Sequence, residues 1–255
     1  MHYITVEYIQ SLVILTLNRP QKHNAFNLQL LREMEEAFSD LAGNPDVRLA
    51  IMTGAGNKSF SSGVDLAELI KFKNLAEARR FALQLEETNA ALLRFPKPLI
   101  AAINGYAFGG GFGLASSADV RIMVEDSKIG FPAVRLGAIL PVGCTLRLNA
   151  LIGSGRSREL LLTGRIVEAR EALQIGLVNA ITSRESLMDE AKRIAEEILK
   201  GSDLALEMTK QMTNQELLSQ LQQYSVSAAE NFAYLAFTDE WQKRIRDFMK
   251  KAEKK

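Results

Sequence analysis

Apolar and polar positions alternate along the chain in blocks whose period changes repeatedly. Residues 3–8 and 13–17 are two β-rich runs separated by a short polar break, a pattern that predicts a hairpin. The loop Asn18-Arg19-Pro20-Gln21-Lys22-His23-Asn24-Ala25 follows, and Asn27 then caps a helix running to about residue 41. Its apolar face is Leu30, Leu31, Met34, Ala37, Phe38 and Leu41, and Gly43-Asn44-Pro45 ends it. Residues 49–53 predict a strand ended by Gly54-Ala55-Gly56. Phe60-Ser61-Ser62-Gly63-Val64-Asp65-Leu66 predicts a small-residue turn between a strand and a helix. Helical periodicity returns over residues 75–93 until Pro96 and Pro98 stop it.

Residues 99–103 are an unbroken apolar run, suited to a strand covered on both faces. Gly109-Gly110-Gly111 then opens a small, apolar helix expected over residues 110–118. Two turns therefore repeat one pattern: strand, glycine-bearing turn, helix. Residues 119–124 predict a strand and 128–130 a short extended piece. Residues 131–142, with Pro132, Gly137 and Pro141, predict a loop near the site. Helices are expected at 142–152, 157–163 and 168–174, and a strand at 177–181. Beyond residue 183 the chain is helical, with breaks near Gly201 and Thr238, and residues 250–255 read as a frayed, solvated end. The alternation predicts an α/β core over residues 1–195 and a helical region over 196–255.

Composition narrows the function classes. The 255 residues carry a formal net charge of +1, so bulk charge points to neither nucleic acid nor a membrane surface. No apolar run reaches the ~18 residues of a membrane span, and the beginning of the chain lacks a signal-peptide pattern. The lone cysteine, Cys144, rules out an internal disulfide and suits a reducing, cytoplasmic compartment. With only His2, His23 and Cys144 to hand, no metal site is expected.

The glycine run is the main candidate for chemistry. Without Cβ atoms, Gly109, Gly110 and Gly111 let a ligand approach the backbone. The first N–H groups of the following helix lack intrahelical partners and favour negative charge in front of them. An oxyanion hole, a phosphate cradle and a purely structural turn all fit. The dinucleotide fingerprint fails, because its third glycine falls on Leu114 or Ser116, and no phosphate-binding G-x-x-x-x-G-K-[ST] is present.

Four motifs together resemble the crotonase superfamily, also called the enoyl-CoA hydratase/isomerase family. They are Leu17-Asn18-Arg19-Pro20 with Asn24-Ala25, the Phe60 to Leu66 turn, the run from Pro98 to Gly111, and Thr163-Gly164 with Ala169, Ala172 and Gly176-Leu177-Val178. The resemblance implies a spiral of ββα units and a helical C-terminal region that builds homotrimers or hexamers. It implies an acyl-CoA or acyl-carrier thioester ligand, with coenzyme A as part of the substrate and no separate cofactor. By motif position, the N–H groups of Val64 and Gly110 would bind the thioester oxygen. Lys22, Ala25, Ser62, Asp65, Leu66, Tyr106 and Gly109 would border the bound thioester, although Tyr106 also suits a structural role. Asp65 and Asp119 match recurrent family aspartates expected to hold turns rather than perform chemistry.

The chain departs from that pattern where hydratases of the family carry two glutamates. Motif alignment puts the first at Gly113 and the second at Ala133, and a third position used by some relatives falls on Pro141. A general acid or base contributes roughly 10²–10⁴-fold. Two absent groups acting independently would therefore remove ~5–11 kcal/mol of transition-state stabilisation, and crotonyl-CoA hydration should be slow. Family members that lack these glutamates include bicarbonate-using naphthoate synthases and polyketide-pathway decarboxylases, and the small Ala133 leaves room for water or an anion. Candidate replacement groups are Arg135, expected to face outward, and Glu68, Glu86 and Glu87, each expected on a solvated helix face. Cys144 is expected to be a buried small hydrophobe, and His23 is given no catalytic role. Three readings follow: an enzyme stabilising a thioester enolate, a degenerate acyl-CoA-binding protein, or a residual hydratase or isomerase with recruited groups.

Overall fold

In the computed structural model, residues 3–252 are described. Strands β1 (Ile4–Ile9) and β2 (Leu12–Leu17) form the expected antiparallel hairpin, Ile4 opposite Leu17. Helix α1 (Leu28–Gly43) starts where Asn27 Oδ1 accepts the N–H of Leu30 at 2.9 Å. Strands β3 (Leu49–Gly54) and β4 (Ser59–Ser61) precede a one-turn helix, α2 (Leu66–Leu69), and the long α3 (Leu75–Arg94). The fully buried β5 (Leu99–Ile103) is followed by β6 (Tyr106–Phe108) and α4 (Gly110–Ser116). Then come β7 (Val120–Val124), β8 (Lys128–Gly130) and α5 (Val142–Thr163), which is broken at Gly153, whose φ is +76°. Strand β9 (Ile166–Glu168), α6 (Ala169–Gln174), β10 (Ala180–Thr182), α7 (Leu187–Ile198), α8 (Asp203–Ala236) and α9 (Asp239–Ala252) complete the order.

The larger sheet runs β1-β2-β3-β5-β7-β10, parallel from β2 onward. The period of two divides its side chains. Leu12, Ile14, Leu49, Ile51, Ile100 and Ala102 pack under Leu187, Ala191 and Ala195 of α7. Val13, Leu15, Leu17, Ala50, Met52, Leu99, Ala101 and Ile103 face the main core. A smaller sheet, β4-β6-β8-β9, sits at the carboxyl ends of these strands.

Three expectations need correction. The glycine run does not join β5 directly to a helix, because Asn104 and Gly105 turn the chain into β6 of the other sheet. Residues 131–142 are not all loop, since Pro132–Leu136 forms a 3₁₀ helix closed by Gly137 at φ +75°. The strand expected at 177–181 begins only at Ala180. Leu177 and Val178 instead turn both their N–H groups onto Ala172 O, at 2.8 and 3.3 Å, closing α6 and burying their side chains.

In the helical end, α8 packs along α3, and Lys210 reaches back to Asp119 at 2.8 Å. Asp119 also accepts the N–H of Leu99, a structural use in line with its expected role. The aromatic residues divide: Phe232 and Trp241 are core, while Tyr234, Phe237 and Phe248 are exposed. Lys250 and Lys251 continue α9, and residues 253–255 and His2 lie outside the described residues.

Candidate active site

Strands β4 and β6 are parallel neighbours, with Ser59 opposite Tyr106 and Ser61 opposite Ala107. Their carboxyl ends therefore adjoin, and so do the turns that follow them. Gly63, at φ +86°, is the closest point: a Cβ there would lie 2.7 Å from Phe108 O and 3.1 Å from Gly110 N. Gly109 has φ +52° and donates to Gly130 O at 2.8 Å. Val64 forms a parallel bridge with Phe26, made by Phe26 N–H to Gly63 O at 2.7 Å and Asp65 N–H to Phe26 O at 2.8 Å. Those bonds use groups on either side of Val64 and turn its own N–H away from Phe26. Among the described residues, the N–H groups of Val64 and Gly110 donate to no backbone carbonyl.

The N-terminal loop is locked to this turn. After the 3₁₀ helix Pro20–Lys22, His23 and Asn24 adopt φ of 51° and 53°. Asn24 offsets that strained backbone with its buried amide. The amide accepts from Arg19 N at 3.0 Å and donates to Ala55 O and Ser59 O. Arg19 donates to Ala25 O at 2.6 Å and pairs with Asp65 at 3.1 Å. Asp65 also caps α2 through Ala67 N–H. Ser61 Oγ and Ser62 N–H complete the tie, to Asn24 O and His23 O.

The other sequence candidates around the turn are dispersed. Ala25 is buried, Ser62 and Leu66 are half-buried, and Lys22 is exposed at the rim. His23 Nδ1 lies 3.2 Å from Ser59 Oγ. Tyr106 is exposed, stacks on Phe108 and lines a separate 280 Å³ cleft with His23, Lys58 and Arg184.

The positions aligned with acid–base groups, and the candidate replacements for them, lie in separate places. Ala133 is half-buried in the 3₁₀ helix, and Pro141 precedes α5. Arg135 faces outward and donates to Thr163 O at 2.9 Å. Glu68 pairs with Lys71, and the exposed Glu87 pairs with Arg94. Gly113 is buried in α4, and a Cβ built on it would run into Cys144 Sγ. Among the described residues no three His, Cys, Asp or Glu side chains are grouped to hold a metal.

Glu86 is the correction. It does not lie on a solvated face but is only 4% exposed. Its Oε1 accepts Val142 N–H at 2.6 Å and its Oε2 accepts Gly143 N–H at 3.0 Å. Burial raises its pKa above the ordinary carboxylate range, and the two N–H bonds oppose the shift. Asn89, one turn on, places Nδ2 4.0 Å from Cys144 Sγ, and its buried Oδ1 has no partner among the described residues. Burial, with Glu86 nearby, pushes the Cys144 thiol far up, so it stays protonated. The available signal was helical spacing: Glu86 lies four residues from both Ala82 and Ala90, which are buried.

The profile of the family described as enoyl-CoA hydratase/isomerase matches residues 7–255. The chain belongs to this family. It is 34% identical over 251 residues to the short-chain-enoyl-CoA hydratase of Clostridium acetobutylicum, covering 98% of this chain and 96% of that protein. It is 35% identical over 248 residues to the crotonyl-CoA hydratase of Syntrophomonas wolfei, covering 97% and 95%. Among solved structures, an enoyl-CoA hydratase from Bacillus halodurans superposes with a TM-score of 0.89 at 26% identity, covering 96% of this chain and 99% of that one. An enoyl-CoA hydratase/isomerase from Mycobacterium paratuberculosis gives 0.87 at 28%, covering 97% and 98%. The expected crotonase-like α/β fold with a helical C-terminal region is therefore this protein's fold.

Proposed function

We propose that this family member binds an acyl-CoA or acyl-carrier thioester with its carbonyl oxygen between the N–H groups of Val64 and Gly110. The two donors act as an oxyanion hole for an enolate. The observation that carries this reading is the pair of N–H groups, unpartnered among the described residues, on adjoining turns whose backbones are fixed by Phe26 and Gly130. Losing one such donor typically costs ~2.7–4 kcal/mol of transition-state stabilisation. The named relatives act on enoyl-CoA thioesters, which supports coenzyme A as the substrate's carrier. Lys22, exposed at the rim, meets a phosphate of the carrier arm.

The reaction in this reading is not glutamate-pair hydration. Gly113 and Ala133 carry no carboxylates, and Cys144 fills the space in front of Gly113. The protein acts in the cytoplasm as a homotrimer or a pair of trimers, assembled through the helical end that presents Tyr234, Phe237 and Phe248. The test is a mass-spectrometric screen of acyl-CoA thioesters: crotonyl-CoA, malonyl-type thioesters with a free carboxylate, and cyclic or aryl acyl-CoAs. Product from a carboxylated or ring substrate, with crotonyl-CoA turned over at least ~100-fold more slowly, is the expected result. Rapid crotonyl-CoA hydration overturns the exclusion of hydration. Tight thioester binding with no product from any member makes the chain a binding protein instead.

A further inference from the structure

Glu86 is a buried carboxyl with no cationic partner among the described residues. Cys144 on α5 and Asn89 on α3 stand beside it, and neither carries charge. An ion pair therefore does not account for its burial. Capping α5 uses the carboxyl but leaves the orphaned Oδ1 of Asn89 unexplained.

The position of Glu86 relative to the glycine turn is informative. A Cβ on Gly109 would touch Leu140 Cδ2 at 3.7 Å. Two residues further on, Val142 N–H is bound to Glu86. The backbones of Leu140 and Val142 are at most ~7–8 Å apart. From the other side, Gly110 and Gly113 share a face of α4, and Gly113 looks onto Cys144, the neighbour of Gly143. Both routes lead from the glycine turn to the same carboxyl. Beyond it opens an 830 Å³ cavity between α3 and α8, which Glu86 also lines.

Resting on the proposed thioester site, we propose that Glu86 is its proton-transfer group, acting on the carbon next to the thioester carbonyl. Glu86, ionised, takes the proton from that carbon. The C–H electron pair moves into the enolate, whose oxygen is held at the N–H groups of Val64 and Gly110. The protonated carboxyl trades its proton with solvent water and then returns a proton to the enolate carbon by the same path, so no other reactant is consumed. Asn89 Oδ1 accepts a hydrogen bond from the protonated carboxyl or from a bound water as the charge moves. Burial that raises the carboxyl's affinity for protons brings it nearer to the range where it can both take and release one at neutral pH.

The test is solvent-deuterium exchange at the α-carbon of butyryl-CoA, read by mass spectrometry, with binding measured by calorimetry on the same samples. The wild-type protein should exchange the α-proton. Glu86→Gln should bind butyryl-CoA with little change and exchange at least ~100-fold more slowly. Glu86→Asp retains an ionisable cap on α5 and should recover part of the rate. Exchange that follows melting temperature across the Gln and Asp variants assigns Glu86 to capping alone and overturns the proposal. Wild-type binding without exchange also overturns it, while leaving the thioester site standing. Failure of the wild type to bind any thioester removes the site and, with it, the role of Glu86.

Discussion

The contact between Gly113 and Cys144 gives a direct test of how this site is packed. A Cβ added at position 113 would fall on Cys144 Sγ and lie 3.2 Å from Cys144 Cβ. Rotating the thiol away does not release the contact, because the Cβ is already tighter than ordinary packing. Both residues are buried in helices pressed together, so neither backbone retreats freely. Overpacking of this kind costs about 1–3 kcal/mol. Alanine gains about 1 kcal/mol over glycine in a helix, so Gly113→Ala should be neutral to about 2 kcal/mol destabilising. Cys144→Gly alone should cost about 0.3 kcal/mol in helix propensity, plus the lost thiol packing. With Cys144 already removed, Gly113→Ala should stabilise. A double-mutant cycle by urea unfolding should then give a coupling of about 1–3 kcal/mol. In thermal melts each kcal/mol corresponds to about 2–4 °C for a chain of this size. Additivity within about 0.5 kcal/mol would show that the thiol gives way without cost and would refute the packing argument.

Three further outcomes follow from the same geometry. Asp65→Asn keeps an N-cap for α2 but strips the buried Arg19 of its counter-charge, and should cost about 3–5 kcal/mol in unfolding experiments; an unchanged stability would separate that ion pair from the rigidity of the turn. Cys144 should resist thiol reagents at pH 8 in the native protein and react once in urea, because burial and the nearby Glu86 hold it protonated; stoichiometric native labelling would contradict its placement. Glu86 binds its proton more tightly folded than unfolded, so the stability it contributes is complete below its unfolded pKa and declines as pH rises through the higher folded one. The melting temperature of the wild type relative to Glu86→Gln should therefore fall across that window; a difference that rises with pH would reverse the sign of the burial effect.

What the sequence disclosed depended on how far each signal reached along the chain. The hairpin, the Asn27 cap and the buried β5 rest on local periods and a local hydrogen bond, and all were legible. The smaller sheet was not, because strands of three residues such as β4, β6 and β9 are too short to carry a period. The two glycine turns were legible as a repeated pattern, but their adjacency comes from the parallel pairing of β4 with β6, which no local signal encodes. Glu86 failed for a related reason. A carboxylate at helical spacing reads as surface unless another segment covers it, and here the start of α5 supplies both the cover and the two N–H groups that make burial tolerable. The motif alignment that left Gly113 and Ala133 without carboxylates could not show what stood in their place. Cys144 fills the space before Gly113, and under the role proposed for Glu86 the carboxylate would come from α3 instead. Under that proposal the N–H groups of Val64 and Gly110 keep their place and only the point where a proton is taken or delivered changes.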